Sequence, residues 1–193
     1  MYKTVLFSFL LAVTAAVNAQ TNWHALFSLG VQGNADDQRP MPKFSESHPT
    51  QMSADLAGIY YATSPQSLVG GVVSGYRQTD QTDESGWQAL HGWLYSVSGI
   101  KFFGPSNKAS AYVRGDLGIS QGLLTKTDAA CFGCLLDDQL SERLKPGVGT
   151  LLGVGYGLPI ANANRIMVGV NWSQQMLNDQ QVSKIGLSLG GLF

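Results

Sequence analysis

Cys131-Phe-Gly-Cys134 is the one cysteine pair in the chain, and its spacing admits three chemistries. In an exported protein an even cysteine count favours a disulfide, here a small ring that stiffens a loop tip. A redox-active CxxC wants a helix N-terminus in a thioredoxin-like setting, and the flanking sequence offers neither. Zinc would need two further ligands, and no histidine lies nearby. The expectation is therefore a Cys131–Cys134 disulfide with no metal. His24, His48 and His91 raise the question of acid–base catalysis. Such chemistry needs a nucleophile and a base within hydrogen-bond reach, usually with a third orienting group. His91 with Ser85 or Asp83 is the one defensible arrangement, against the plainer reading of a polar histidine near a strand end. The acidic groups Asp36-Asp37, Asp80, Asp83-Glu84 and Asp137-Asp138 read either as a cation- or ligand-binding rim or as solvated loop surface. No EF-hand loop, P-loop or dinucleotide fingerprint occurs. The expectation is no enzyme and no cofactor.

The elements that would position these residues begin after a targeting segment. Lys3, the apolar stretch Val5 to Ala16 and the small-x-small sequence Val17-Asn18-Ala19 have the order of an export signal, expected to be cleaved before Gln20. Its apolar core is shorter than the roughly 20 residues of a membrane-spanning helix. Residues 1–19 are thus read as signal peptide and 20–193 as one domain. Loss of Lys3 leaves 11 basic against 13 acidic residues, a balance with no electrostatic case for nucleic acid. Charged residues make up only 13% of the chain and glycines number 23, which suits short strands and tight turns.

Eight alternating runs follow: Trp23–Gly33, Met52–Thr63, Leu68–Arg77, Trp87–Phe103, Ala109–Gln121, Gly147–Leu158, Arg165–Gln174 and Lys184–Phe193. In the last, Ile185, Leu187, Leu189 and Phe193 oppose Lys184, Gly186, Ser188 and Gly190. All but the long fourth run are near the ~9–11 residues a tilted transmembrane strand requires. Connections are long after the first, third and fifth runs and short after the second, fourth and sixth, as in barrels with long extracellular loops and short periplasmic turns. A soluble sandwich or lipocalin-like barrel would turn the apolar face inward, and alternation alone does not choose. Small residues on the non-apolar face favour the membrane, as do aromatics near run ends (Trp23, Tyr60-Tyr61, Tyr76, Trp87, Phe102-Phe103, Tyr156, Trp172 and Phe193). The expected fold is all-β, an eight-stranded antiparallel up-and-down transmembrane β-barrel with both termini periplasmic.

Among the charged residues within or at the ends of these runs, six are singled out: Asp55, Arg77, Lys101, Arg114, Asp116 and Lys184. An Arg or Lys facing lipid at mid-bilayer costs about 2–4 kcal/mol, so such groups should point inward or lie near an interface. Arg114 and Asp116 share a parity. The favoured reading is a buried ion network of Asp55, Lys101, Arg114, Asp116 and Lys184 that plugs the lumen. A selective pore lining is the alternative. Eight strands leave an interior only just wide enough for side chains to fill.

The export signal, the runs Ala111-Tyr-Val-Arg-Gly-Asp-Leu-Gly-Ile119 and Gly147-Val-Gly-Thr-Leu-Leu-Gly-Val-Gly-Tyr-Gly-Leu158, and the terminal Phe193 resemble the small eight-stranded outer-membrane barrels, the group of the OmpA transmembrane domain and OmpX. The resemblance spans the mature chain as a pattern rather than a motif. It implies that Phe193, with Leu187 and Leu189, forms the signal read by the outer-membrane assembly machinery. It implies further partners in outer-membrane lipid and lipopolysaccharide, an extracellular ligand met by the loops, and a monomer. The implied role is structural or surface-interacting; a small passive pore and a lipid-modifying enzyme are the alternatives. Deleting Phe193 is expected to reduce assembled barrel without reducing synthesis, measured by quantitative blotting of outer-membrane fractions against whole cells; unchanged assembly removes that role.

Overall fold

The structure is a computed structural model and describes residues 22–35, 50–81, 87–127, 140–160 and 164–193. The export signal, Cys131, Cys134, His48, Asp83 and Ser85 lie outside the described residues. Eight strands run in chain order: β1 (Trp23–Asn34), β2 (Thr50–Ser64), β3 (Ser67–Gln81), β4 (Trp87–Phe102), β5 (Ser110–Thr127), β6 (Leu140–Pro159), β7 (Arg165–Leu177) and β8 (Gln180–Leu192). Each pairs antiparallel with the next, and β1 pairs with β8 to close the barrel. Closure removes every free strand edge, which a sheet in hydrocarbon cannot tolerate. Beyond the ladder, Ala25 N–H donates to the Phe193 carbonyl at 2.8 Å and Phe193 N–H returns a bond at 2.9 Å. We call the end holding Trp23 and Phe193 the terminal end, and the opposite end the loop end.

Five of the expected runs lie inside the strands and three overshoot by one residue at the terminal end (Phe103, Ala109 and Phe193), while several strands outlast the runs at the loop end. β5 continues six residues past Gln121 and β6 begins seven residues before Gly147. In these extensions Leu124 and Leu144 still turn into the barrel, while Lys145 and Arg143 are exposed. Between β7 and β8 the chain reverses in two residues, Asn178 and Asp179, with φ of 54° and 60°. That left-handed pair is the geometry of a type I′ hairpin turn, and Asn and Asp tolerate it well.

The apolar parity faces outward. Leu29 and Val97 are each 68% exposed, and Ile59, Leu117, Val148 and Leu187 are similarly bare. A soluble sandwich or lipocalin-like barrel would bury these positions, and a continuous apolar belt this size fits lipid. The girdle expectation needs correction. Trp23, Tyr61, Phe103 and Tyr156 do face outward, but Tyr60, Tyr76 and Phe102 point into the barrel and are buried.

Those three belong to two apolar plugs. At the terminal end Leu26, Tyr60, Leu68, Ile100, Phe102, Tyr112, Met167 and Leu192 pack together across the lumen. Toward the loop end Tyr76, Leu90, Leu177 and Val182 form a second cluster, with Leu144 against it. Large rings fit so narrow a barrel because glycines face them. A Cβ built on Gly92 would run into the Tyr76 ring, and one on Gly169 would run into the Tyr112 hydroxyl. Gly92→Val is expected to destabilise the barrel by about 1–3 kcal/mol through overpacking, read as a lower temperature of conversion from folded to unfolded gel mobility; an unchanged temperature would show that Tyr76 can move aside.

Candidate functional site

Between the two plugs the lumen is polar, and a β-bulge makes its central arrangement possible. Leu56 in β2 has no partner in β3, so Asp55 pairs with Ser74 while Ala57 pairs with Val73. The extra residue inverts the parity of β2. Asp55 and Tyr60, five apart, thereby both face inward, while Leu56 and Ala57 both face outward.

At the centre one guanidinium serves two carboxylates. Arg114 donates to Asp55 in a fork, Nη1 to Oδ2 at 2.6 Å and Nη2 to Oδ1 at 3.0 Å. It donates to Asp116 through Nη2 at 2.7 Å and through Nε at 3.1 Å. Hydroxyls satisfy the remaining oxygens: Ser28 donates to Asp55 at 2.6 Å, Ser74 to Asp55 at 2.7 Å, and Ser98 to Asp116. The Tyr60 hydroxyl donates to Ser98 Oγ at 2.7 Å. All three charged groups are buried. Seven side chains from β1 to β5 are tied in one network, and the fork geometry is what arginine offers and lysine does not.

Lys184 faces the lumen but does not join that cluster. Its ammonium donates to Gln51 Oε1 at 2.8 Å and Gln78 Oε1 at 3.1 Å, and sits 4.1 Å from the centroid of the Tyr76 ring. Two amide oxygens and an aromatic face hold the cation where its own strand brings no carboxylate. Lys101, expected in the lumen, lies on the outer face instead. Its neighbours Ile100 and Phe102 point inward, and its ammonium reaches Ser67 Oγ at 3.1 Å near the terminal end. Arg165, absent from the expected set, closes the terminal end. It donates to Ser110 Oγ at 2.8 Å and to the Pro105 carbonyl at 3.2 Å, over the Phe102 ring at 4.2 Å. Its signal was available: an arginine opening an alternating run, on the parity opposite Ile166 and Val168.

A cavity of about 40 Å³ adjoins the cluster, lined by Ser28, Asp55, Ser74, Gln175 and Ser188 among others. The Tyr76 hydroxyl, Gln175 Oε1 and Gln32 Nε2 are buried there without protein partners. A polar space of this size takes one or a few waters, which would satisfy those groups. His91 is on the outer face, stacked on Trp93 with centroids 5.9 Å apart. Among the described residues no three metal-ligating side chains come together.

The closed eight-stranded antiparallel barrel has solved counterparts. Neisserial surface protein A aligns with a TM-score of 0.59 at 12% identity, covering 89% of this chain and 96% of that one. Ail, the attachment invasion locus protein of Yersinia pestis, solved with the heparin analogue sucrose octasulfate, aligns at 0.52 with 14% identity, covering 89% and 99%. The chain has the fold of the small outer-membrane β-barrels. No family model and no curated protein matches it. Within this outer-membrane barrel fold, the charged cluster occupies the space a channel would need.

Removing the guanidinium leaves two buried carboxylates facing each other. Arg114→Met is expected to cost about 3–5 kcal/mol of stability, measured by urea unfolding in lipid vesicles with tryptophan fluorescence. Adding Asp55→Asn and Asp116→Asn should recover much of that loss. A single-variant loss within about 0.5 kcal/mol, the range of an ordinary surface change, would show that the cluster holds nothing together.

Proposed function

We propose that this chain is a monomeric outer-membrane protein with its termini on the periplasmic side, its loop end at the cell surface and its lumen closed to solutes. It acts through the loop end as a structural or surface-interacting protein, meeting outer-membrane lipid, lipopolysaccharide or an extracellular ligand there. The observation that carries this reading is the filled interior: two apolar plugs with the Asp55–Arg114–Asp116 cluster between them occupy the lumen. The export signal, the assembly signal ascribed to Phe193, Leu187 and Leu189, and the placement of the longer connections at one end support the orientation. The structure of Ail holds a sulfated sugar analogue, and contact with a surface ligand would be the same class of role here. The passive-pore reading has one observation in its favour, the polar cavity beside Asp55.

Purified protein in a planar bilayer is expected to give no steady conductance; a stable unitary current would replace the plug with a pore. In intact cells, Lys145→Cys in a background with Cys131 and Cys134 changed to serine should label with a membrane-impermeant maleimide. Labelling only after cell disruption would invert the orientation.

A further inference from the structure

On the outer wall near the loop end lies a groove of about 490 Å³, within the range of small-ligand sites. Trp93 and Tyr95 of β4, Gln121 and Leu123 of β5, and Arg143 and Pro146 of β6 line it. A second bulge builds it. Ser120 pairs with Gly147 and Gly122 with Leu144, so Lys145 and Pro146 together oppose Gln121. Proline has no N–H to give the ladder, and a strand holds one comfortably at such an interruption. The extra residue inverts the parity of β6. Below it Val148 faces out; above it Leu144 packs into the second lumen plug and Arg143 faces out.

The register then aligns a charged row. Arg77, His91, Leu123 and Arg143 are successive cross-strand partners on β3 to β6, all on the outer face. Both arginines are exposed, and neither makes an ion pair among the described residues. Three strand spacings separate them, roughly 14 Å along the wall. Two residues down each strand come Trp93 and Gln121, then Tyr95 and Ile119, and from there the wall is apolar. The described outward residues of these rows include no carboxylate.

The height of this row matches a bilayer interface. From Ala111, which pairs with the outward Tyr156, to Gln121, which pairs with Trp93, β5 climbs ten residues. At the rise and tilt of barrel strands this is roughly 26 Å, against an apolar band of about 25 Å. Tyr156 and Trp93 therefore mark the two interfaces, where amphipathic rings settle. Arg143 projects just beyond the second, at headgroup level. Cation, hydrogen-bonding amide, aromatic ring and aliphatic wall follow in the order of a phosphate, a sugar and an acyl chain.

We infer that the groove between Trp93 and Arg143 binds a phosphorylated, acylated saccharide of the outer leaflet, a lipid of the lipid A class, with Arg143 on a phosphate and the acyl chain along Tyr95, Ile119 and Val148. Arg77 and His91 flank the same headgroup from the far side of Trp93. This inference rests on the proposed orientation, which puts the loop end in the outer leaflet; arginine is the side chain suited to grip a phosphate there.

Its test uses the full chain in nanodiscs of phosphatidylcholine doped with lipid A or with phosphatidylglycerol, and native mass spectrometry to count lipid retained through detergent exchange. Wild type should retain one lipid A in preference to phosphatidylglycerol. Arg143→Gln should weaken retention about tenfold, Trp93→Ala should weaken it as well, and Arg143→Lys should keep part of it. Each variant is checked for folded gel mobility, and its partner variants carry the result if one fails to fold. Equal retention by wild type and folded Arg143→Gln overturns the site, and a preference for phosphatidylglycerol overturns the ligand. The labelling of Lys145→Cys in cells is independent of both, so a failure of orientation is seen separately from a failure of the groove.

Discussion

A single guanidinium between two carboxylates fixes how this barrel is filled. Arg114 reaches Asp55 on β2 and Asp116 on its own strand, and three serines and a tyrosine on β1 to β4 complete the acceptors. Taking three charges out of water is costly unless every lone pair is met, and here nearly every one is. The lumen provides this because eight strands leave room for side chains and little else. Lys184 and Arg165 repeat the solution with other partners, using amide oxygens, backbone carbonyls and aromatic faces instead of carboxylates. All three cations therefore act as cross-links between strands far apart in sequence.

The bulges are what let one sequence serve both faces. A strict alternation would have sent either Asp55 or Tyr60 into lipid. The extra residue at Leu56 brings both inside. The interruption at Pro146 works in the opposite sense on β6, turning Leu144 into the plug and Arg143 outward beside an aromatic pair. Internal filling and external surface chemistry are thus adjusted by the same device, at two heights of the wall.

Much of this was legible in the residue pattern. Strand number and pairing order follow from alternation and turn placement, because lipid on one side and a narrow lumen on the other impose period two, and the outward apolar face follows from the small residues opposite it. Asp55, Arg114 and Asp116 were placed inward by the cost of a charge in lipid, and they meet there. Lys101, placed inward by the same argument, lies outside, because that cost vanishes near an interface, where its parity carries it outward to Ser67. Lys184 needed the register to reveal Gln51 and Gln78 as its partners. The plugs escaped notice since Leu68, Ile100, Tyr112 and Met167 are apolar residues on the polar parity, a signal visible only once the lumen is known to be full. Tyr60 and Tyr76 read as girdle residues for the same reason. Pro146 falls outside the sixth run, which the alternation starts at Gly147, so neither the bulge it occupies in β6 nor the parity that bulge inverts was legible.

The coupling between Asp55 and Arg114 is where this view of the barrel stands or falls. A double-mutant cycle of Asp55→Asn and Arg114→Met, taken from reversible urea unfolding in vesicles, isolates that pair from the serines around it. A forked, buried contact predicts a coupling free energy of about 2–3 kcal/mol, at the upper end of measured contact pairs. Additive effects, with coupling indistinguishable from zero, would mean that the interior is held by its apolar plugs alone and that the charged cluster is incidental to the closed lumen.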